Sequence, residues 1–267
     1  MNLKSILNLF SILILFFSFS YVLPIVVSII FNDGALKIFI TTLILIALLG
    51  SLGAFITRGA DSNLSQKDGF VIIVLFWIVL SLAGSIPFYL SGMSGIDSIF
   101  ESMSGITTTG ATAISNIEAL PESLLFYRQL LQWMGGMGLI VLAIAVMPLL
   151  GIGGGQIYKT EVPGAMGEQR LTPRIKETAQ ALWIIYLGLT IVCGFLYYIN
   201  GMSAFDAISH AMSTVAIGGF STHDESIGFF NSISIELICM TFMLLSAFSF
   251  ALHYFALYKK RPLKYIF

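Results

Sequence analysis

Two short stretches of this chain combine glycine with hydroxyl side chains in otherwise apolar surroundings: Thr107-Thr108-Thr109-Gly110-Ala111-Thr112 and Ile217-Gly218-Gly219-Phe220-Ser221. Backbone of this kind, placed at membrane depth, belongs to no ladder, and its carbonyl oxygens can replace the hydration shell of a monovalent cation. Gly110 and Gly219 can hold positive φ, which turns the carbonyl direction within one residue. The flanking Thr and Ser hydroxyls can bond either the backbone or the ion. The chemistry to expect is coordination of a dehydrated cation, with no covalent step.

Both stretches close matching segments. Gly92-Met93-Ser94 through Thr112 overlays Gly201-Met202-Ser203 through Ser221 without a gap; Asp97 falls on Asp206, Met103-Ser104 on Met212-Ser213 and Gly110 on Gly219, a constant offset of 109 residues. Each copy predicts a half-length helix, at roughly 97–106 and 205–216, too short to span a bilayer. The negative C-terminal end of each would aim at the Thr/Gly stretch, favouring a cation there. One Thr-Thr-Thr-Gly is compatible with a polar turn between helices; two in register, each between apolar spans, favour a repeated re-entrant pore loop.

Hydrophobic residues make up 57% of the 267 and charged residues 10%, whereas soluble domains are about a quarter charged. With a mean hydropathy of +0.93, the chain belongs in a bilayer, in contact with lipid, and has no room for a sizeable soluble domain. Apolar runs predict spans at roughly 5–31, 36–57, 70–91, 123–150, 176–199 and 229–258. The first mimics a signal peptide, with Lys4 ahead of its apolar run, but it is too long for a signal core and lacks a small-residue cleavage site before Asn32-Asp33-Gly34. It reads as a retained helix with Pro24 near its outer end. Cys193 and Cys239 lie in separate apolar runs and read as buried small hydrophobes. The net charge of −1 gives no reason to expect nucleic acid.

Charge is distributed unevenly. Lys4, Arg58, Lys67, Lys159, Arg170, Arg174, Lys176, Lys259, Lys260, Arg261 and Lys264 all fall on one side of this span arrangement, leaving Lys37 and Arg128 elsewhere. Basic residues concentrate on cytoplasmic loops, so both termini and the loops at 58–69 and 151–175 are expected inside. The opposite side holds Asp97, Glu101, Glu118, Glu122, Asp206, Asp224 and Glu225, which would form an acidic outer vestibule that concentrates cations. Arg128 and Glu236, near the outer ends of their spans, are either functional charges or side chains that snorkel to the interface. Gly135-Gly136-Met137-Gly138 reads as a place where small residues let helices approach closely, in preference to a flexible joint. His210 stands where Glu101 stands in the first copy and reads as a helix-support or vestibule residue.

These residues resemble the Trk/Ktr/HKT superfamily of potassium transporters, most closely its bacterial TrkH/TrkG branch. The resemblance is carried by Ser104-Gly105-Ile106-Thr107-Thr108-Thr109-Gly110-Ala111-Thr112, Arg128-Gln129-Leu130-Leu131-Gln132-Trp133-Met134-Gly135-Gly136-Met137-Gly138 and Val215-Ala216-Ile217-Gly218-Gly219-Phe220-Ser221-Thr222. Glu161-Val162-Pro163-Gly164 and Leu171-Thr172-Pro173-Arg174-Ile175-Lys176-Glu177-Thr178-Ala179 add the inner loop. The resemblance implies an all-α integral membrane protein with a pseudo-fourfold, potassium-channel-like pore. Carried over here, it implies an N-terminal transmembrane hairpin at 1–57, helix, pore-loop, helix units at 70–150 and 176–258, a cytoplasmic loop at 151–175 and the start of a cytoplasmic linker at 259–267. It further implies a potassium filter formed by carbonyls of Thr108, Thr109 and Gly110 in the first unit and Ile217, Gly218 and Gly219 in the second.

By the same resemblance the chain is the N-terminal half of the pore-forming subunit of a Trk-type uptake system in the bacterial cytoplasmic membrane. The expected partners are a cytosolic nucleotide-binding regulatory subunit and, at full length, a second copy; K+ is the transported ion, and no organic cofactor is expected. Half a filter cannot encircle an ion, so the sequence is expected either to be a fragment or to assemble with a partner half. Two alternatives from other classes are an intramembrane hydrolase using Ser209 or Ser213 near His210, and a non-conducting membrane subunit. The first lacks an orienting carboxylate, and adjacent residues on a helix do not face each other.

Overall fold

The computed structural model describes residues 3–60, 66–146, 172–248 and 253. Among the described residues every regular element is helical. The chain opens with a hairpin: α1 (Leu3–Ser18) runs through a 3-10 turn at Phe19–Tyr21 into α2 (Val22–Phe31), and α3 (Leu36–Ile56) returns beside α1. The turn has a covalent cause. Pro24 has no N–H to give, and its ring crowds the carbonyl four residues back, so the helix tightens just before it. Small residues let α3 close on α1: a Cβ at Gly50 would lie 2.8 Å from Leu15 N and one at Gly53 2.3 Å from Ser11 Oγ.

Two units of the same build follow. In the first, α4 (Gln66–Leu90), the half-helix α5 (Gly95–Ile106) and α6 (Glu122–Val146) come in order, with a 3-10 turn at Ile117–Ala119. In the second, α7 (Thr172–Ile199) leads to the half-helix α8 (Ala204–Val215), a 3-10 turn at Ser226–Phe230, and α9 (Ile233–Ala247). Each half-helix has 12 residues, about 18 Å of rise against a hydrocarbon thickness of about 30 Å. The predicted half-helices are therefore present, starting two residues and one residue earlier than expected because Ser94 and Ser203 cap them.

Among the described residues four helices are long and apolar enough to cross a membrane: Leu3–Phe31, Leu36–Ile56, Asp68–Leu90 and Gln180–Ile199. The predicted span 229–258 begins later than expected. Asn231 at φ 42° ends the 3-10 turn, and the helix starts at Ile233. Residues 61–65, the 123–150 span from 147, most of the 151–175 loop, nearly all of the 229–258 span from 249 and the 259–267 segment lie outside the described residues.

Among the described residues Ile6, Phe10, Ile72 and Phe76 join α1 to α4, and two larger cores hold the other elements together, α6 belonging to both. The first gathers Tyr21, Phe39, Phe88, Leu124, Tyr127 and Leu131, joining the hairpin to the first unit. Tyr127 sits in its centre, 5.4–5.7 Å from the rings of Tyr21, Phe39 and Phe88. Its hydroxyl donates to Gly84 O at 3.0 Å and that of Tyr21 to Ala83 O at 2.9 Å, so the buried phenols are satisfied on α4. The second core places Met137 of α6 against Tyr186, Cys193, Tyr197, Ala207, Ala211 and Val215. Cys193 is a free, buried thiol within it and Cys239 packs against it, as expected of small hydrophobes.

The Thr/Gly loops and their scaffold

The two half-helices are capped at the start and closed at the end by the same hydrogen bonds. Ser94 and Ser203 accept the amides of Asp97 and Asp206 at 3.2 and 3.0 Å, and both serine hydroxyls donate to those aspartates at 2.7 Å. This reciprocal cap satisfies orphan donors and places an acid at the positive helix end. At the other end the last turn closes identically. Thr108 N reaches Gly105 O at 3.0 Å and Thr109 N reaches Ser104 O at 2.9 Å; Ile217 N and Gly218 N make the same bonds to Thr214 O and Ser213 O at 3.0 and 2.9 Å. That pattern requires one left-handed residue just past the helix, usually glycine. Here it is Thr108 and Ile217, both at φ 54°.

A left-handed isoleucine is a steric outlier, and such strain survives only where the surroundings impose it. Gly110 and Gly219 follow at φ 78° and 87°, with Thr109 and Gly219 exposed and Gly218 buried. The loops also meet. A Cβ on Gly110 would lie 2.0 Å from Gly218 O, so only glycine permits the two chains to approach this closely. The structure therefore brings all of Thr108, Thr109, Gly110, Ile217, Gly218 and Gly219 to one place, at the C-terminal ends of two half-helices. A cavity of about 240 Å³ lies behind the second loop, bounded by His210, Ser213, Gly218, Ile227 and Met243.

Behind each loop stands a side chain from the matching position of its half-helix. In the first unit Glu101 accepts from Thr112 Oγ1 at 3.0 and 3.1 Å and from Ala113 N at 3.0 Å, and Thr112 Oγ1 accepts from Ile114 N at 3.1 Å. In the second, His210 Nδ1 lies 2.9 Å from Asp206 O and Nε2 lies 2.9 Å from Ser221 Oγ, which accepts from His223 N at 3.0 Å. A carbonyl can only accept, so in the neutral ring Nδ1 carries the proton and Ser221 donates to Nε2. His210 thus does for Ser221 what Glu101 does for Thr112. The support reading of His210 holds, and the difference in residue type follows from Arg128.

Arg128 on α6 and Glu101 on α5 both have no exposed surface. Arg128 Nε donates to Glu101 Oε1 at 2.7 Å, Nη1 to Ser221 O at 2.9 Å and Nη2 to Thr112 Oγ1 at 3.3 Å, while the guanidinium lies 4.3 Å from the centroid of Phe220. One cation therefore ties the first half-helix, the first loop and the second loop. Snorkelling is ruled out for Arg128: a charge is tolerated there because it is paired and each of its three nitrogens donates a hydrogen bond. Lower on α6, Gln132 Oε1 accepts from Ser213 Oγ at 2.7 Å and Phe220 N at 3.0 Å. Below that, a Cβ on Gly135 would lie 2.0 Å from Ile106 O and one on Gly136 3.2 Å from Ala216 Cα, so the close-packing reading of this glycine run is the observed one.

The expected acidic vestibule is altered in the same way. Glu101 is consumed by Arg128; Asp206 accepts from Thr222 Oγ1 at 2.7 Å; Asp224 accepts from Ile117 N at 2.9 Å, crossing between units. Glu118 faces His223 Nδ1 at 3.1 Å. Several of these acids tie the loops after the half-helices together instead of standing free: Glu101 because a buried carboxylate must find donors, Asp206 and Asp224 because loop donors lie within reach. The serine and histidine of the hydrolase alternative do not come together either. His210 meets Ser221, not Ser209 or Ser213, and its Nδ1 faces a backbone carbonyl where a catalytic dyad would need a carboxylate.

Gln132 and the Glu101–Arg128 pair are what sequence reading passed over as supports. A carboxylate and a guanidinium in neighbouring apolar segments were a usable signal, since each needs a partner. For Gln132 no local signal existed, because its acceptors' donors lie 81 and 88 residues away.

Helix, half-helix, loop and helix, twice over, in a bundle with membrane-length apolar helices, define an all-helical integral membrane protein with paired half-helices. Residues 35–265 match the family described as TrkH, cation transport protein, and the chain belongs to that family. It is similar to the Trk system potassium uptake protein TrkH of Halomonas elongata, 51% identical over 99% of this chain and 56% of the relative. The protein of the same name from Escherichia coli K12 is 45% identical, over 99% of this chain and 55% of the relative. Among solved structures, the crystal structure of the potassium transporter TrkH from Vibrio parahaemolyticus superposes with a TM-score of 0.86 at 46% identity, covering 99% of this chain and 54% of that one. The chain thus spans about half the length of the relatives it matches.

Proposed function

We propose that this chain supplies two of the four units of a pore that carries potassium into the cell, as part of the translocating subunit of a Trk-type system in the bacterial cytoplasmic membrane. The observation that carries the reading is the paired geometry: two capped half-helices end in the same left-handed turn, and their glycine loops touch at Gly110 and Gly218. The negative ends of two helix dipoles then converge beside unladdered carbonyls, an arrangement that favours a bare cation and disfavours an anion. In this reading the carbonyls of Thr108, Thr109, Gly110, Ile217, Gly218 and Gly219 line the filter, and the inside-negative potential supplies about 2.3 kcal/mol per charge per 100 mV for inward movement.

The working division is a hairpin at 1–57, units at 70–150 and 176–258, a cytoplasmic loop at 151–175 and a linker from 259, with both termini of this chain inside. The relatives are named as members of a Trk system, which supports a cytosolic nucleotide-binding regulatory subunit docking on the loops at 58–69 and 151–175, and a dimer of the complete protein. The test is uptake in cells lacking their own potassium systems, using the complete protein. Gly219→Val should cut potassium uptake or collapse the potassium-to-sodium ratio about tenfold, a loss of about 1.4 kcal/mol of discrimination. Wild-type uptake and ratio in both Gly219→Val and Gly110→Val would refute the filter assignment.

A further inference from the structure

Gln132 lies one turn beyond Arg128 on α6, is completely buried, and reaches from the first unit into the second. Its Oε1 takes two donors at once, Ser213 Oγ at 2.7 Å on the half-helix and Phe220 N at 3.0 Å on the loop that follows it. The amide lies so close beneath that loop that a Cβ at Gly218 would stand 2.3 Å from Gln132 Cδ and Oε1. Described peptide bonds are all trans, and a trans peptide holds its N–H and C=O on opposite sides. With the Phe220 N–H drawn to Gln132, the Gly219 carbonyl must point away from α6. Gly219 itself is exposed, at φ 87° with nothing within 4 Å of a would-be Cβ. No side-chain packing fixes that peptide plane from its own residue. The first loop is held differently: the equivalent Ser104 donates to Ala111 O of its own loop at 2.5 Å.

We propose that Gln132 is a positioning residue for ion selection, setting the direction of the Gly219 carbonyl from the neighbouring unit through the Phe220 amide. The proposal rests on the filter reading given above. It is tested in the complete protein by Gln132→Met, which keeps the volume and length of the side chain and removes the acceptor oxygen. The potassium-to-sodium uptake ratio, normalised to the amount of protein in the membrane, should fall about fivefold, the worth of one ordinary hydrogen bond. A purely structural role would lower the amount of protein and leave the ratio alone. If the ratio is unchanged in Gln132→Met while Gly219→Val loses it, the positioning role is overturned and the filter stands; if neither variant moves it, both fall. Should Gln132→Met fail to accumulate, Gln132→Leu, which is shorter and likewise lacks an acceptor oxygen, reads the same bond: a lowered ratio supports the role and a wild-type ratio overturns it.

Discussion

At Gly110 and Gly219 the same residue type is required for different reasons, and the two can be separated. A methyl group on Gly110 would meet the Gly218 carbonyl at 2.0 Å, whereas one on Gly219 meets nothing within 4 Å and suffers only the positive φ. Gly110→Ala is therefore expected to abolish uptake by displacing the neighbouring loop, while Gly219→Ala, costing about 1 kcal/mol of backbone strain, retains measurable uptake; radiotracer flux on the two variants decides it. Ile217 supplies the converse case. It is left-handed at φ 54°, so Ile217→Gly should raise the thermal midpoint in detergent, by an amount corresponding to about 1 kcal/mol. At Arg128 the issue is charge. Removing a buried partner strands the other, and Arg128→Ala should cost about 3–5 kcal/mol, seen as loss of folded protein in the membrane, with partial recovery when Glu101→Gln is added.

The element that decides the arrangement is α6. It contributes Tyr127 to one core and Met137 to the other, and between them presents Arg128, Gln132, Gly135 and Gly136 in order along the seam. Both half-helices end on its glycines, so its distance from them is set by the missing side chains. A Cβ at Gly135 would lie 2.0 Å from the Ile106 carbonyl, while one at Gly188 of α7 would meet nothing within 4 Å. Gly135→Ala should therefore lower the thermal midpoint of the purified protein, and Gly188→Ala should leave or raise it, by up to about 1 kcal/mol from helix propensity alone. Equal effects from the two would show that backbone propensity, not close approach, governs these glycines.

For the whole molecule, the hairpin is fastened to the first unit at the turn between α2 and α3 by Asp33. Its carboxylate accepts from Ser123 N at 2.8 Å and Ala35 N at 3.0 Å and from the Ser28 hydroxyl. Partial burial pushes this carboxyl up, but the hydrogen bonds from Ser123, Ser28 and Ala35 outweigh it and hold the group below its ordinary value. The native state thus binds this proton less readily than the unfolded one. The contribution is fully present above the ordinary carboxylate value and is lost as pH falls through the lowered native value. The protection of the Ser123 amide against hydrogen exchange, relative to its intrinsic rate, should fall on acidification below about pH 4, and Asp33→Asn should flatten that dependence; a wild-type profile in the variant would remove Asp33 as its source.

The sequence by itself determined the membrane class, the two half-helices and the pairing of Gly110 with Gly219, because apolar run length and an in-register repeat are local properties that survive in one dimension. It also marked His210 as the counterpart of Glu101. It could not assign Arg128, which stands at a span end where snorkelling and pairing look alike. Nor could it turn Glu101, Asp206 and Asp224 from a vestibule into ties, or find Gln132 at all. Those outcomes depend on which donor meets which acceptor across separations of 16 to 107 residues. Only packing two units against α6 creates those meetings, since a charge or amide sealed from water takes whatever partner the tertiary structure places within reach.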